Sequence, residues 1–123
     1  MINILHLTAH LGGGVGKALS GLEGRARASG ADVNHTFVCF ENPEKRQFVD
    51  IIQECGNQVI LCPSTAQLSE LIKQAEVVQL EWWNHPATLR ALCELNHCSA
   101  RLIVWSHLSG LFNPIIPSNL IRN

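Results

Sequence analysis

The sequence predicts an α/β fold in which one parallel sheet of about five strands lies between two layers of helices. Five short apolar segments alternate with four segments of helical spacing, at about 20–25 residues per unit, which is typical of right-handed βαβ crossovers. A glycine cluster directly follows the first apolar segment, as expected at a turn from a buried strand into a helix. We therefore predict one Rossmann-like three-layer α/β/α domain over residues 1–110, followed by a connecting segment over residues 111–123.

Each predicted strand is a short run of apolar, β-branched or aromatic residues. The five runs are Ile2–Leu5, His35–Phe40, Gln58–Cys62, Val77–Trp83 and Ala100–Trp105. Such runs, bounded by glycine, proline or asparagine, are typical of buried strands. In parallel sheets ligands bind outside the carboxyl ends of the strands, so the residues just past each strand are the first candidates for a site.

The first two helices are predicted from their apolar spacing and start signals. The segment Val15–Ser29 places Leu19 and Leu22 on one face and ends at Gly30. The second helix is predicted to begin near Pro43, because proline is favoured in the first helical turn.

The last two helices have stronger start signals. Ser64 is followed three residues later by Gln67, the pattern of a capping box. The ring of Pro86 opens the fourth helix.

Composition limits the classes of partner. The chain has 123 residues, of which 46% are hydrophobic and 15% charged, as in a compact single domain. Nine basic and ten acidic residues give a net charge of −1, which disfavours general binding to nucleic acid or anionic membranes. No apolar run approaches the roughly 18 residues of a membrane span, and no basic signal region is present. We predict a cytoplasmic protein without nucleic-acid partners or a membrane span, with peripheral membrane contact left open.

The five cysteines indicate a reducing environment. They are Cys39, Cys55, Cys62, Cys93 and Cys98. Their odd number, the lack of a C-x-x-C pair and their apolar neighbours predict buried free thiols. His97-Cys98 near Cys93 has no second ligand pair at zinc-finger spacing, so neither a metal nor another cofactor is predicted.

The segment Gly12-Gly13-Gly14-Val15-Gly16-Lys17 is the first candidate for a ligand site. Glycines let a ligand approach the backbone, and a helix start offers unpaired N–H groups that suit phosphate. Glycines that only make a tight turn are the alternative. Lys17 is either a phosphate contact or a solvated surface lysine.

This segment does not match the strict nucleotide-binding patterns. In a Walker A loop the first glycine would stand at Leu11 and the hydroxyl residue at Ala18. In the dinucleotide fingerprint the third glycine would stand at Lys17 or Leu19. The sequence therefore disfavours a nucleoside-triphosphate switch and an NAD site.

Polar residues also follow the other predicted strands. They include His10, Glu41, Asn42, Glu81, His85, Ser106, His107 and Ser109. In the usual doubly wound order the first and fourth strands are neighbours and the fifth lies beside the fourth. That order would bring the glycine segment, Glu81 and His107 towards one cleft.

The sequence resembles, in these motifs and their order, the N-terminal half of a GT-B glycosyltransferase of the large retaining family 4, also called glycosyl transferase group 1. The resemblance runs from Ile2 to about Pro117. Its most specific parts are Gly13-Gly14-Val15-Gly16, the stretch from Leu19 through Gly30 to Val33, and Trp105-Ser106-His107.

The resemblance implies transfer of a sugar from a nucleotide-sugar donor to a hydroxyl acceptor with retained configuration and without a required metal. Gly13, Gly14 and Gly16 would line the cleft, and His107 would lie at the reaction centre. Leu108 stands where the family often has an acidic residue.

Several other candidate residues have both a functional and a structural interpretation. Lys17, Glu81 and Ser109 are predicted substrate contacts from their places in the loop and past the strands. A core histidine at a strand end is the alternative for His107. Trp82 and Trp83 are expected either to form an apolar surface against a sugar ring or to pack in the core. His6 and His35 lie within strands and are expected to be structural.

Enzymes of this family have a second domain that holds most of the donor. Its signature, a glutamate separated by seven residues from another glutamate, does not occur in this sequence. The segment Ser118–Arg122 has the pattern of a helix start. We expect an acceptor-side half that lacks the C-terminal domain and has no transferase activity alone.

Two other functions stay open. The first is a variant P-loop nucleotide-binding protein, which magnesium-dependent ATP binding would favour. The second is a non-catalytic Rossmann-like binding module, which would bind neither nucleotides nor sugar phosphates.

Overall fold

The computed structural model describes residues 1–83, 85–95 and 98–107. Within these ranges the strands are β1 Ile2–Thr8, β2 Val33–Cys39, β3 Gln58–Leu61, β4 Val77–Trp82 and β5 Arg101–Ser106. The helices are α1 Gly13–Ser29, α2 Gln47–Glu54, α3 Thr65–Gln74 and α4 Pro86–Glu94. The predicted α/β alternation is confirmed. The connecting segment 111–123, with its predicted helix start, lies outside the described residues.

The five strands form one parallel sheet in the order β3-β2-β1-β4-β5. The predicted neighbours, β1 beside β4 and β5 beside β4, are confirmed. The chain winds from β1 out to β3 and then crosses back to β4 on the other side of β1. The carboxyl ends of β1 and β4 therefore mark the topological switch point, where open α/β sheets are expected to bind ligands in a crevice.

Each face of the sheet buries a separate apolar core, which gives the three-layer architecture. Leu7, Leu80 and Trp82 pack on one face beneath α3 and α4. Phe37 and Cys39 pack on the other face beneath α1 and α2. Because strand side chains alternate in direction, neighbours such as Leu80 and Glu81 lie on opposite faces.

The predicted start of the second helix is wrong. Helix α2 begins at Gln47, and Pro43 lies in the preceding loop. The backbone N–H groups of Phe40 and Glu41 donate to the carbonyls of Thr8 and Ala9, which keeps the chain beside β1 past the end of β2. The buried face of the helix starts only at Val49, so packing rather than the proline sets the first turn.

The predicted buried face of α1 is partly wrong. Leu22 is 36% exposed, and the buried side chains are those of Leu19, Ser20 and Glu23. These positions, with Gly16, follow the three- and four-residue spacing of one helix face. The face of α1 that packs on the sheet therefore includes the carboxylate of Glu23, although we expected only apolar side chains there.

The cysteines are not uniformly buried. Cys39 is buried, whereas Cys62 and Cys93 are exposed and the others lie between these extremes. Burial and the neighbouring Cys62 thiol raise the pKa of Cys39 to about 12, which keeps it a neutral thiol.

No helix within the described residues is both long enough and apolar enough to cross a lipid bilayer.

Candidate functional site

The glycine segment makes a tight, internally bonded turn between β1 and α1. The Thr8 hydroxyl donates to the His10 carbonyl at 2.9 Å, and the Gly12 N–H donates to Nδ1 of His10 at 3.0 Å. Gly12 is the N-cap of α1 and has no side chain to cap it. Gly13 has φ +57°, a conformation that side chains with a Cβ rarely adopt. The turn thus leaves backbone groups, not side chains, at the start of α1.

The three predicted glycines of the cleft have different environments. Gly16 is buried, and a Cβ there would overlap the Leu11 carbonyl and lie 2.5 Å from the Phe48 ring. Gly13 and Gly14 are exposed, and a Cβ at either would meet nothing within 4 Å. Helix packing explains the glycine at position 16, whereas no packing contact explains the one at position 14.

A cavity of about 370 Å³ opens at this turn. His10, Gly12 and Gly13 line one side, and residues 41–45 line the other. Glu41, Glu44 and Lys45 contribute charges of both signs. The lining belongs to the loops after β1 and β2, and the exposed Lys17 lies outside it.

His85 joins two loops at the same edge of the sheet. Its Nδ1 accepts from the Ala87 N–H at 3.1 Å and so caps α4. Its Nε2 lies 2.8 Å from Oε1 of Glu41 in the loop after β2. Because Nδ1 accepts, the proton of this imidazole is on Nε2 and is donated to Glu41.

Glu81 and His107 form a carboxylate–imidazole pair at the ends of β4 and β5. Oε2 of Glu81 lies 2.6 Å from Nε2 of His107. Glu81 is fully buried, whereas the His107 side chain retains 18% exposure. The His107 backbone N–H also donates to the Trp82 carbonyl at 2.9 Å, which fixes the chain just after β5. The predicted convergence of these two residues is confirmed, and Ser109 lies outside the described residues.

A line of buried polar side chains continues from Glu81 across the sheet. It consists of His35 on β2, His6 on β1, Glu81 on β4 and His107 after β5, and we call it the buried polar row. Nε2 of His6 lies 2.8 Å from Nδ1 of His35, and Nδ1 of His6 lies 3.8 Å from Oε1 of Glu81. The row thus takes one residue from each of the adjacent strands β2, β1 and β4 and a fourth from the position just after β5.

Helix α1 closes the far end of the buried polar row. Oε1 of Glu23 lies 3.4 Å from Nδ1 of His35, and its other oxygen accepts from the Asn57 amide. Burial and the neighbouring His6 lower the pKa of His35 to about 4, so this imidazole is neutral at pH 7. Burial also raises the pKa of Glu23, although the Asn57 hydrogen bond acts in the opposite direction.

The two tryptophans after β4 differ in environment. Trp82 is 1% exposed and belongs to the core. The ring of Trp83 contacts His10 edge-on at 4.7 Å and lies 5.4 Å from His85. Its indole N–H is buried and has no hydrogen-bond partner among the described residues. An aromatic ring therefore lies between the loops after β1 and β4.

Sequence reasoning missed the connection between His6, His35 and Glu81. His35 and Glu81 lie inside predicted strands and His6 directly follows the first predicted run, whereas β1 of the structure extends to Thr8 and includes it. Their alignment depends on the strand order and on the β1–β2 register, which pairs His6 with Phe37 rather than with His35. Neither the strand order nor the register can be inferred from the spacing of apolar residues along the chain.

No protein-family model matches the chain, and a comparison with curated proteins also gives no match. The resemblance to family 4 glycosyltransferases therefore depends on the motifs quoted above. Among residues 1–83, 85–95 and 98–107, no three histidine, cysteine, aspartate or glutamate side chains are arranged so that they could hold a metal ion together.

Proposed function

We propose that the chain is the acceptor-side domain of a retaining glycosyltransferase, which moves a sugar from a nucleotide-sugar donor to a hydroxyl acceptor. The observation that carries the proposal is the contact between the buried Glu81 and His107, because Glu81 lies on the strand next to β1 and His107 follows β5, at the same edge of the sheet as the glycine turn. The glycine turn follows β1 and the pair follows β4 and β5, so they lie on the two sides of the switch point, where the ligand crevice of this fold is expected.

The glycine turn supplies groups suited to phosphate or sugar hydroxyls. The N-terminal N–H groups of α1 lack a side-chain cap at Gly12, and the exposed Gly13 and Gly14 leave room for close approach. The neighbouring cavity of about 370 Å³ is of the size of a small-molecule site. His10, which lines this cavity, adds a polar side chain that suits a sugar hydroxyl.

His107 acts on the other side of the crevice in this proposal, at the transferred sugar or the acceptor hydroxyl. Holding the donor and acceptor together in one geometry would supply most of the rate enhancement. The donor diphosphate would be bound largely by a second domain, and the reaction would take place in the cytoplasm without a required cofactor. The exposed Lys17, outside the cavity lining, gives less support to the P-loop alternative.

The proposal is tested by calorimetric titration of the purified chain with nucleotide sugars and simple sugar acceptors. Two matched variants, Gly14→Ala and Gly21→Ala, each add one methyl group to α1 at an exposed site where nothing lies within 4 Å. We expect Gly21→Ala to bind as the wild type does, and Gly14→Ala to bind about tenfold more weakly because its methyl group occupies the ligand's approach.

Two outcomes of this titration would contradict the proposal. One is tight magnesium-dependent binding of ATP with no response to nucleotide sugars, which would favour the P-loop alternative. The other is the absence of binding for every nucleotide sugar, sugar phosphate and sugar acceptor, which would favour the non-catalytic module.

A further inference from the structure

The buried polar row extends well beyond the pair that the proposed function uses. Three of its four side chains are almost fully buried: His6 and His35 are 1% and 6% exposed, and Glu81 is 0% exposed. Burying so many polar atoms is costly unless they are hydrogen-bonded to one another. The arrangement of their donors and acceptors therefore determines where each proton lies.

Glu81 is surrounded by donors. Its Oε1 accepts from the Gln79 amide at 2.6 Å, and its Oε2 faces Nε2 of His107 at 2.6 Å. Both oxygens of the Glu81 carboxylate thus accept hydrogen bonds, and the contact at Oε2 then requires a proton on Nε2 of His107. A neutral His107 with that proton has none on Nδ1, which is therefore an acceptor.

His6 approaches the same carboxylate from β1. Its Nδ1 faces Oε1 of Glu81 at 3.8 Å, and it has no hydrogen-bond partner among the described residues. A proton on this nitrogen attracts the carboxylate, whereas a lone pair there would repel it. With that proton in place, Nε2 of a neutral His6 accepts from His35 at 2.8 Å.

The far end of the row is also fixed. Glu23 from α1 faces His35, and Asn57, which precedes β3, donates to Glu23. The titratable groups that face Glu81 are thus His6 from β1 and His107 from β5, and those that face His35 are His6 and Glu23. Oε1 of Glu23 lies 3.4 Å from the same Nδ1 of His35 that faces His6, and it makes no hydrogen bond among the described residues.

We propose that Glu81 is a positioning residue for His107 and that His6 holds Glu81 from the opposite side, so that neutral His107 carries its proton on Nε2 and presents Nδ1 to a ligand. The inference deepens the proposed function, on which the role of His107 rests. The row itself is a property of the ligand-free chain and can be tested without any substrate.

The test is a long-range ¹H–¹⁵N spectrum of the whole chain labelled at histidine nitrogens, with His107 assigned from a His107→Gln variant. We expect a slowly exchanging proton on Nε2 of His107 and an unprotonated Nδ1. The wild-type spectrum alone is decisive if a variant fails to fold, because a neutral His107 protonated on Nδ1 would overturn the proposal.

Substitution of Glu81 tests the positioning role directly. Glu81→Leu, which keeps a side chain of similar size but has no acceptor, is expected to abolish the protected Nε2–H signal of His107, and Glu81→Asp to restore part of it. The matched control is Glu41→Leu, which removes the acceptor of the other carboxylate–imidazole pair, at His85, and is expected to leave the His107 signal unchanged. An unchanged His107 signal in a folded Glu81→Leu variant would overturn the proposal.

A binding measurement separates this inference from the proposed function. If the wild type binds a nucleotide sugar or a sugar acceptor, we expect Glu81→Leu to weaken that binding by about tenfold, since a small misplacement of His107 costs affinity. Equal affinity in the two proteins would overturn the positioning role. If the expected spectra are obtained but neither a nucleotide sugar nor a sugar acceptor binds, the arrangement of the buried polar row is supported and the proposed function fails.

Discussion

Gly16 stands where the first turn of α1 touches the chain that leaves β1. A methyl group there would meet the Leu11 carbonyl, which is backbone and cannot rotate away, and the Phe48 ring. We expect Gly16→Ala to lower the free energy of unfolding by about 1–3 kcal/mol through overpacking. Urea denaturation followed by circular dichroism measures the change.

The control for Gly16→Ala is Gly24→Ala on the same helix. A Cβ at this exposed site meets nothing within 4 Å, so alanine should raise stability by about 0.5–1 kcal/mol. Equal stability of the Gly16→Ala variant and the wild type would show that the turn does not hold α1 as closely as described.

At the scale of elements, α3 has the most complete cap among the described helices. The Ser64 hydroxyl accepts from the Gln67 N–H at 3.2 Å, and the Gln67 side chain accepts from the Ser64 N–H at 3.0 Å. We expect Ser64→Ala to cost about 1 kcal/mol of unfolding free energy. Ser69→Ala, at an exposed position within α3, should cost nothing, because alanine favours helix. Equal losses in thermal or urea unfolding would contradict the assigned cap.

Elements with local signals could be predicted from the sequence. The capping box at Ser64 and the proline at Pro86 fix their helices within the chain itself, and both are confirmed. The start of α2 could not be predicted, because Phe40 and Glu41 donate hydrogen bonds to Thr8 at the end of β1 and to Ala9 just after it, and these keep the chain extended past β2. Such long-range contacts cannot be inferred from the sequence around the helix start.

Some contacts of the candidate site could also be predicted from the sequence, and others could not. The sequence predicted that Glu81 and His107 converge, because both follow from the usual strand order of a doubly wound sheet. The links from His6 to His35 and Glu81 could not be predicted, since they depend on rotamers and on how closely adjacent strands approach. The buried Glu23 was missed because its helix face was assigned from apolar residues alone.

At the scale of the whole molecule, the buried polar row makes stability depend on pH. The pKa of His35 is lowered from about 6.5 to about 4, so the unfolded chain binds more protons than the folded chain within this window. The stabilisation is complete above pH 6.5 and is lost as the pH falls towards 4. We expect the His35 contribution to this loss to be about 3 kcal/mol.

Glu23 acts in the opposite direction. Its raised pKa means that the folded chain takes up a proton there first, so acidification to the ordinary range of a glutamate adds stability. Glu23→Gln removes this gain while retaining an acceptor for Asn57. We expect the unfolding free energy of Glu23→Gln to fall more steeply than that of the wild type between pH 7 and pH 4.5. Parallel pH profiles from urea denaturation would contradict this account.

The central claim is that one ligand lies between the glycine turn and His107. The most direct measurement is a nuclear magnetic resonance titration of the labelled chain with a nucleotide sugar, observing the backbone amides of Gly12, Gly13 and Gly14 together with the His107 imidazole. We predict that both groups of signals shift with a single dissociation constant, while the amides of α3 do not move. Shifts confined to one side of the crevice, or none on either side, would contradict the claim.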